Sequence, residues 1–245
     1  MLFPVVLKTR ERYRRPGRLW YEVASNGLFQ VREAQSYRAV TRVETGVPGL
    51  LPAVEEVVLR FPRVPARTLE EVLAFFHEAY LRYRGEAIVI LFYRPGDARF
   101  CVRVPWQAIR GRRDWTGRFR AHHELRYRHV EAPAGFVRLG TIHSHANLPA
   151  YASAVDCADE RYDDGLHVVF GDLDTSRPSR SASFVANATR FRLDPDTVLE
   201  PCAVPSRPAR PGWMARLAIE EEGRDDRGSW ETCVSTGSAE AREDP

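Results

Sequence analysis

Two histidines, a serine and an aspartate are the residues of this chain whose types and spacing are best suited to chemistry. His143 and His145 are separated by one residue, and after seven further residues come Ser153 and, three positions on, Asp156. Two imidazole nitrogens and one carboxylate oxygen suit zinc, and three protein ligands leave a fourth position to water. The spacing therefore predicts a mononuclear zinc site of the catalytic, hydrolytic kind.

The elements around these residues explain how they would meet. The segment Leu139–His145 begins apolar and β-prone, and side chains two apart on a strand share a face, so His143 and His145 are expected side by side. After a turn, the segment from Ser153 is typical of a helix start with acidic residues in its first turns. Residues three apart are neighbours on a helix, which brings Ser153 and Asp156 together.

Hydrolysis at a zinc site also needs a base that takes a proton from water. Glu86 stands directly before the apolar, β-branched segment Ala87–Tyr93, which is predicted to be a buried strand. Its carboxyl is therefore expected at the edge of that strand, facing a cleft. Glu78 is a competing carboxylate, but it falls inside the predicted helix Thr68–Tyr83, where a solvent-facing role is expected.

The combined pattern resembles that of a known protease family. Glu86, the run His143-Ser144-His145, Ser153 and Asp156 are similar to the motif of the JAB/MPN metalloproteases in their metal-binding, JAMM form. That motif is a Glu before a buried strand, then His-Ser/Thr-His, seven residues, Ser, two residues and Asp. The chain has each residue at the matching spacing, and the resemblance covers residues 68–199, somewhat over half of it.

The resemblance implies a role for each motif residue. His143, His145 and Asp156 would hold one catalytic Zn²⁺ ion. Glu86 would be the general base, and Ser153 would hydrogen-bond the developing oxyanion. A second role for Ser153 stays open, because a serine at this position could serve only as the cap of the helix.

The resemblance also implies a substrate class. Members of the family cleave isopeptide or peptide bonds after the C-terminal glycine of ubiquitin or ubiquitin-like proteins. The expectation is a deubiquitinase-like enzyme of a bacterial conjugation-like system, a kind that includes antiviral systems. Its expected partners are a ubiquitin-like protein or its conjugate, with E1- or E2-like proteins encoded beside it. Two alternatives remain open: a partner-binding module of a plasmid- or phage-associated system with a structural zinc, and a zinc peptidase acting on an unrelated substrate.

The fold expected from the resemblance is α/β. It would be a JAB/MPN, cytidine deaminase-like domain with a central mixed β-sheet flanked by helices, after a small β-rich N-terminal extension. Asn26-Gly27 between two alternating runs predicts a hairpin in that extension, and Thr68 with Glu71 predicts a capping box that opens a helix. The predicted units are the N-terminal extension at residues 1–65, the hydrolase domain at 66–202 and a Pro-rich, charged, flexible tail at 203–245.

Charge and cysteine usage limit the expected partners. Lys and Arg number 36 against 33 Asp and Glu, for a net charge of +3, so a strong field for nucleic acid is not indicated. Arg110–Arg128 interleaves arginines with aromatic residues, but acidic residues dilute it. A solvated loop beside the active site, or an entry point for the modifier, is expected there. No segment approaches the ~20 apolar residues of a membrane span. The four cysteines lack paired spacing, so a cytoplasmic protein is predicted.

Other polar residues near the motif are expected to be structural or solvated. His167 alternates along the predicted buried strand Gly165–Gly171 and is interpreted as a satisfied core or rim histidine. His122 and His123 fall in the charged stretch, where they are expected to face water. Surface charge is the expected role of three aspartates that follow the motif: Asp159, Asp163 and Asp164.

Overall fold

A computed structural model of the protein describes residues 4–9, 17–43, 53–175 and 177–221. Within them, three sheets are built from the strands β1 (Val5–Leu7), β2 (Leu19–Ala24), β3 (Gly27–Glu33), β4 (Tyr37–Val43), β5 (Glu56–Leu59), β6 (Ile88–Arg94), β7 (Arg99–Arg103), β8 (Gln107–Arg113), β9 (Phe119–Tyr127), β10 (Val137–Ser144), β11 (Gly165–Gly171), β12 (Ser179–Ala186), β13 (Thr189–Leu193) and β14 (Leu217–Glu221). The helices are α1 (Ala66–Tyr83), α2 (Ala154–Asp159) and α3 (Pro195–Val198), with 3₁₀ turns at Glu160–Tyr162 and Met214–Arg216. The last part of the predicted flexible tail, residues 222–245, lies outside the described residues.

The N-terminal strands form a sheet of their own, in the order β1-β2-β3-β4-β5. The predicted hairpin is confirmed, because β2 and β3 pair antiparallel through a two-residue turn. One face of this sheet has a small core around Trp20 and Phe29. The other face contacts the main body, where the ring centroids of Tyr37 and Phe184 lie 4.7 Å apart. The N-terminal sheet is therefore packed against the rest of the chain.

A six-stranded sheet carries the histidine motif, in the order β13-β12-β11-β10-β6-β7. β10 and β11 are parallel, and every other neighbouring pair is antiparallel. β6 and β11 are buried along almost their whole length, as the apolar run of β6 and the mostly apolar sequence of β11 predict. β10, which bears His143, lies between these two strands and so is held on both sides.

The apolar side of α1 packs against this sheet. Leu69, Leu73 and Phe76 belong to the same buried core as Val89 and Leu91 of β6. Spacings of three and four residues put such side chains on one face of a helix, so the predicted amphipathic helix is confirmed. No described helix combines the length and the apolar character that crossing a bilayer requires.

The start of α1 differs from the prediction. The helix begins after Pro65, and Thr68 already lies inside it, so the capping box of Thr68 and Glu71 is wrong. The N–H of Ala66 instead donates to Oε2 of Glu200 at 2.8 Å. A carboxylate from a distant part of the chain thus satisfies a free N–H group of the first turn, which the local sequence does not reveal.

The prediction of a loop for the arginine-dense stretch is wrong. The stretch forms two strands of a third sheet, ordered β14-β8-β9. β8 and β9 pair antiparallel, and their register shifts between Ile109 and Gly111. This bulge breaks the alternation that marks a strand, and arginines can line a strand with their charged groups in water. β14 pairs parallel with β8, so part of the predicted flexible tail is ordered in this sheet.

The expectation of an α/β domain with a central sheet flanked by helices is wrong. Strands make up 44% and helices 17% of the described residues, and the strands are distributed over three sheets. α2 and α3 have six and four residues, so α1 alone among the described helices is long enough to cover much of a sheet. The stretch expected to be a loop, and part of the expected tail, pair as strands and add the third sheet.

Gly140 allows the close approach of β10 and β11. A Cβ atom at Gly140 would lie 1.8 Å from the carbonyl oxygen of Leu166. We therefore expect Gly140→Ala to force the strands apart and to lower the free energy of unfolding by about 3 kcal/mol. Urea unfolding measures this loss. Gly96→Ala is the control, since a Cβ at Gly96 meets nothing within 4 Å. Equal unfolding midpoints for the two variants would contradict the prediction.

Candidate metal centre

β10 brings both histidines to the end of the six-stranded sheet. His143 lies in β10 and His145 follows its last residue, and the two residues are 6% and 4% exposed. Strand alternation puts them on one face, and their ring centroids lie 5.1 Å apart. The N–H of His145 donates to the carbonyl of Phe170 at 2.8 Å, which fixes the backbone beyond the strand. The expected side-by-side arrangement of the imidazoles is confirmed.

A capping box at the start of α2 positions the aspartate. The hydroxyl oxygen of Ser153 accepts from the N–H of Asp156 at 3.1 Å, and Oδ2 of Asp156 accepts from the N–H of Ser153 at 2.8 Å. These reciprocal bonds fix the Asp156 carboxylate in the first turn of the helix. The role of Ser153 as helix cap is therefore confirmed, and its action on a substrate stays a prediction.

The three predicted ligands converge on one point. Nε2 of His143 lies 3.2 Å from Nε2 of His145 and 3.4 Å from Oδ1 of Asp156. Nε2 of His145 lies 3.3 Å from Oδ2 of Asp156. One ligand atom from each residue falls within 4.8 Å of the other two, so the group could hold a metal ion. Two imidazole nitrogens and a carboxylate oxygen are donors that fit zinc.

The electrostatics of the cluster favour a bound cation. Burial alone raises the pKa of Asp156, but hydrogen bonds to the two imidazoles and to Ser153 lower it by more, so this carboxyl is ionised. Burial lowers the pKa of His145, whereas the hydrogen bond to Asp156 and the charges of Glu86 and Asp156 outweigh it and raise that pKa above the ordinary value. Positive charge is thus stabilised at the point that the ligand atoms share.

A cavity of about 280 Å³ adjoins the cluster. All five predicted site residues line it, so the structure brings Glu86 and Ser153 together with the three ligands. Much of the remaining wall is apolar and comes from four different parts of the chain: Ile88, Leu125, Tyr127, Leu148, Tyr151 and Val155. A largely apolar cavity with a few convergent polar groups is the usual form of a small binding or active site.

Two pairs of hydrogen bonds fix the backbone next to Glu86. The N–H of Ser144 donates to the carbonyl of Ala87 at 2.9 Å, and the N–H of Ala87 donates to Oγ of Ser144 at 3.1 Å. The Gln107 side-chain amide accepts from the N–H of Ile88 and donates to its carbonyl, both at 2.9 Å. Glu86 lines the cavity, and these bonds hold the backbone that follows it against Ser144 of β10 and the side chain of Gln107.

The competing carboxylate, Glu78, is engaged elsewhere. Its Oε2 accepts from the N–H of Ala209 at 3.1 Å, and its Oε1 pairs with Arg82 one helical turn away. It is not among the described residues that line the cavity. Of the two carboxylates considered from the sequence, Glu86 is the one that lines the cavity.

His167 belongs to a buried polar network behind the cavity. Its Nδ1 lies 2.8 Å from Oγ1 of Thr141 and 3.3 Å from Oε1 of Glu160, and its Nε2 lies 2.7 Å from the carbonyl oxygen of Asp163. The interpretation of His167 as a satisfied core histidine is confirmed.

The three aspartates that follow the motif are not all surface charges, as had been expected. Asp159 lines the cavity, whereas Asp163 pairs with Arg138 and Asp164 accepts from the hydroxyl of Tyr37 at 3.2 Å. The last two carboxylates therefore fasten the segment after α2 to other elements and are not plain surface charges. The two neighbouring histidines of the arginine-dense stretch, His122 and His123, lie in the strand β9.

Sequence reasoning missed several residues of the cavity. Tyr151 packs its ring edge-on to His145 with centroids 5.0 Å apart, and it stands only two positions before Ser153. Glu160 follows Asp156 by four positions, the spacing of neighbours on a helix, which was the available indication. Tyr127 comes from β9 and is brought in only by the tertiary fold.

Ser153 can be tested for a role beyond the cap. Ser153→Ala is expected to lower the free energy of unfolding by about 1 kcal/mol, since the N-cap bond is lost, and to slow turnover. Ser153→Gly restores most of the cap stability but not the hydroxyl. Thermal unfolding and turnover are measured for both variants. If Ser153→Gly regains both stability and turnover relative to Ser153→Ala, the hydroxyl of Ser153 acts only as the helix cap.

Comparisons with known proteins add little to this geometry. No family model matches the sequence, and no curated protein matches it. Among solved structures, that of protein DSY2949 from Desulfitobacterium hafniense is similar over 66% of this chain and 94% of its own, with 16% sequence identity and a TM-score of 0.33. A likeness at that TM-score carries no argument about fold or function, so the local geometry of the cluster is what bears on function.

Proposed function

We propose that this protein is a JAMM-type zinc metalloprotease that removes or processes a ubiquitin-like modifier. One observation carries the proposal: Glu86 and Ser153 line the same cavity as the cluster of His143, His145 and Asp156. A structural metal site needs ligands alone, whereas a carboxylate and a hydroxyl beside them supply the base and the oxyanion donor of hydrolysis. The substrate class is taken from the resemblance of this motif to the JAB/MPN proteases.

The residues divide the hydrolytic reaction between them. Bound at the three ligands, zinc would supply the Lewis acidity that polarises a carbonyl and makes water a nucleophile near neutral pH. Glu86 takes a proton from the attacking water as the new C–O bond forms, and gives it to the leaving nitrogen as the C–N bond breaks. Ser153 accepts from the N–H of Asp156, which leaves its hydroxyl hydrogen for the carbonyl oxygen that gains negative charge.

β9 offers an edge for an extended substrate. It is the last strand of its sheet and, within the part of the chain that the structure describes, pairs with β8 alone. Leu125 and Tyr127, two positions apart on β9, line the cavity. A substrate tail added as a strand to this edge would pass beside the metal cluster, with main-chain hydrogen bonds giving affinity. The resemblance to the JAB/MPN proteases implies that this tail ends in glycine.

The proposed setting is the cytoplasm. The three described cysteines, Cys101, Cys157 and Cys202, are free thiols, which suits a reducing compartment. The proposed partners are a ubiquitin-like protein or its conjugate and the E1- or E2-like proteins of the same bacterial conjugation-like system. Systems of this kind include antiviral ones. The resemblance of the motif supports these partners.

A cleavage assay with zinc quantified alongside tests the proposal. The substrate is a ubiquitin-like protein encoded beside this gene, joined through its C-terminal glycine to a fluorescent reporter. We expect the wild type to contain zinc and to cut after the glycine, and Glu86→Ala to contain zinc and not to cut. Cleavage of an unrelated peptide mixture but not of the fusion would favour the alternative peptidase. Zinc-loaded protein that binds the ubiquitin-like partner without cleaving any substrate would favour the binding module.

A further inference from the structure

A further carboxylate, that of Glu160, lies against the metal cluster. Its side chain is 11% exposed, and its Oε1 is 3.9 Å from Nδ1 of His143. We infer that Glu160 is a positioning residue, which holds the imidazole of His143 in the orientation and tautomer that bind metal. The inference rests on the metal site of the proposed function and adds a residue that the JAMM motif does not contain.

The two nitrogens of His143 face different partners. Nε2 points to the shared ligand position, 3.4 Å from Oδ1 of Asp156 and 3.2 Å from Nε2 of His145. Nδ1 points away from that position, toward Glu160. A neutral imidazole that ligates through Nε2 carries its hydrogen on Nδ1, and a carboxylate facing Nδ1 stabilises that tautomer and makes Nε2 a better donor to metal.

The distance fits such a role. At 3.9 Å the contact between Nδ1 and the carboxylate is too long for a hydrogen bond, so the attraction between an Nδ1 hydrogen and the carboxylate is electrostatic. Both side chains are nearly buried, so water screens this attraction only weakly.

The carboxylate of Glu160 is itself fixed. Nη2 of Arg190 donates to Oε2 at 2.6 Å, while Nδ1 of His167 lies 3.3 Å from Oε1. These contacts hold a carboxylate oxygen of Glu160 at a set place beside His143. Arg190 lies in β13, an edge strand of the six-stranded sheet, three strands away from β10. A residue of that edge strand therefore holds the carboxylate that faces His143.

Zinc affinity of the purified protein is the test, because it needs no substrate. Affinity is measured by competition with a chromophoric chelator for the wild type, Glu160→Ala and Glu160→Gln. We expect Glu160→Ala to weaken zinc binding by about 10–100-fold. Glu160→Gln keeps an oxygen that can accept from Nδ1 but loses the charge, so a smaller loss in the same direction is expected. Glu71→Gln is the matched control, since Glu71 is also buried and ion-paired, with Arg210 at 2.8 Å.

A purely structural role predicts a different result. Glu160 could matter only through its ion pair with Arg190, and then its variants would lower the unfolding temperature of the metal-free protein while folded protein kept its zinc affinity. Unfolding is therefore followed in excess chelator. The visible spectrum of the Co²⁺-substituted protein reports the ligand geometry, and we expect it to change in Glu160→Gln but not in Glu71→Gln. Unchanged zinc affinity and an unchanged Co²⁺ spectrum in Glu160→Gln would overturn the inference.

The inference and the proposed function fail separately. A protein that cleaves no ubiquitin-like fusion, yet loses zinc affinity on Glu160→Gln, refutes the proposed substrate and supports the positioning role. A protein that cleaves the fusion, with the same zinc affinity in wild type and Glu160→Gln, supports the proposed function and refutes the positioning role.

Discussion

Replacement of Glu86 by glutamine is expected to leave zinc bound and to lower turnover by about 10²–10⁴-fold. Glutamine has nearly the size of glutamate but cannot accept a proton from water at neutral pH. Glu86 is not one of the three residues whose ligand atoms converge, so its replacement leaves the donor set complete. The loss is therefore expected in the chemical step.

The surrounding backbone makes this substitution a clean test. Ser144 bonds to both backbone groups of Ala87, and Gln107 bonds to both backbone groups of Ile88, without using the Glu86 side chain. The strand end should thus stay in place in Glu86→Gln. A lower rate can then be attributed to the lost base, because a displaced site would also change the zinc content.

Turnover of the reporter fusion and zinc per chain are measured on the same preparations. Glu78→Gln is the matched control: it removes the competing carboxylate, whose partners are Ala209 and Arg82. We expect Glu78→Gln to keep turnover close to that of the wild type. Full turnover in Glu86→Gln with a large loss in Glu78→Gln would reverse the assignment of the base. Equal losses in both variants would indicate general destabilisation.

The cluster of His143, His145 and Asp156 could be predicted from the sequence because its geometry is mostly local. His143 and His145 share a face through the two-residue repeat of one strand, and Ser153 and Asp156 meet through the capping box of one helix. Only the approach of the strand end to the helix start is tertiary, and a short connection makes it. The strands that flank the motif were likewise predictable, since β6 begins with an unbroken apolar run and His167 is the one polar side chain in β11.

The parts that could not be predicted depend on contacts between distant segments. Glu200 satisfies the start of α1 from 134 residues away, so the local capping pattern at Thr68 was misleading. Arg190 holds Glu160 across 30 residues, and neither spacing nor residue type reveals that pair. The bulge near Ile109 breaks the strand pattern of β8, so the local sequence does not reveal a sheet that contributes to the cavity. The expected α/β class is wrong because the strands form three sheets and only α1 among the described helices is long enough to flank one.

Replacement of Asp156 by alanine is expected to reduce the zinc content from about one ion per chain to nearly none, and turnover with it. The carboxylate faces both imidazoles, with Oδ1 at 3.4 Å from His143 and Oδ2 at 3.3 Å from His145. Its loss leaves two neutral donors without the negative charge that offsets the cation. Alanine also removes half of the capping box with Ser153, which should cost about 1 kcal/mol of stability.

Asp156→Asn separates these two effects. The asparagine oxygen can still accept from the N–H of Ser153, so most of the capping energy should return, whereas a neutral amide is a poor replacement for a carboxylate ligand of zinc. We therefore expect Asp156→Asn to unfold near the wild-type temperature in chelator and still to lack zinc. Asp159→Asn, on the same helix and lining the same cavity, should retain zinc. Retention of zinc by Asp156→Asn with its loss in Asp159→Asn would transfer the third ligand to Asp159. Zinc content is the decisive quantity, because stability alone would respond to the cap in either case.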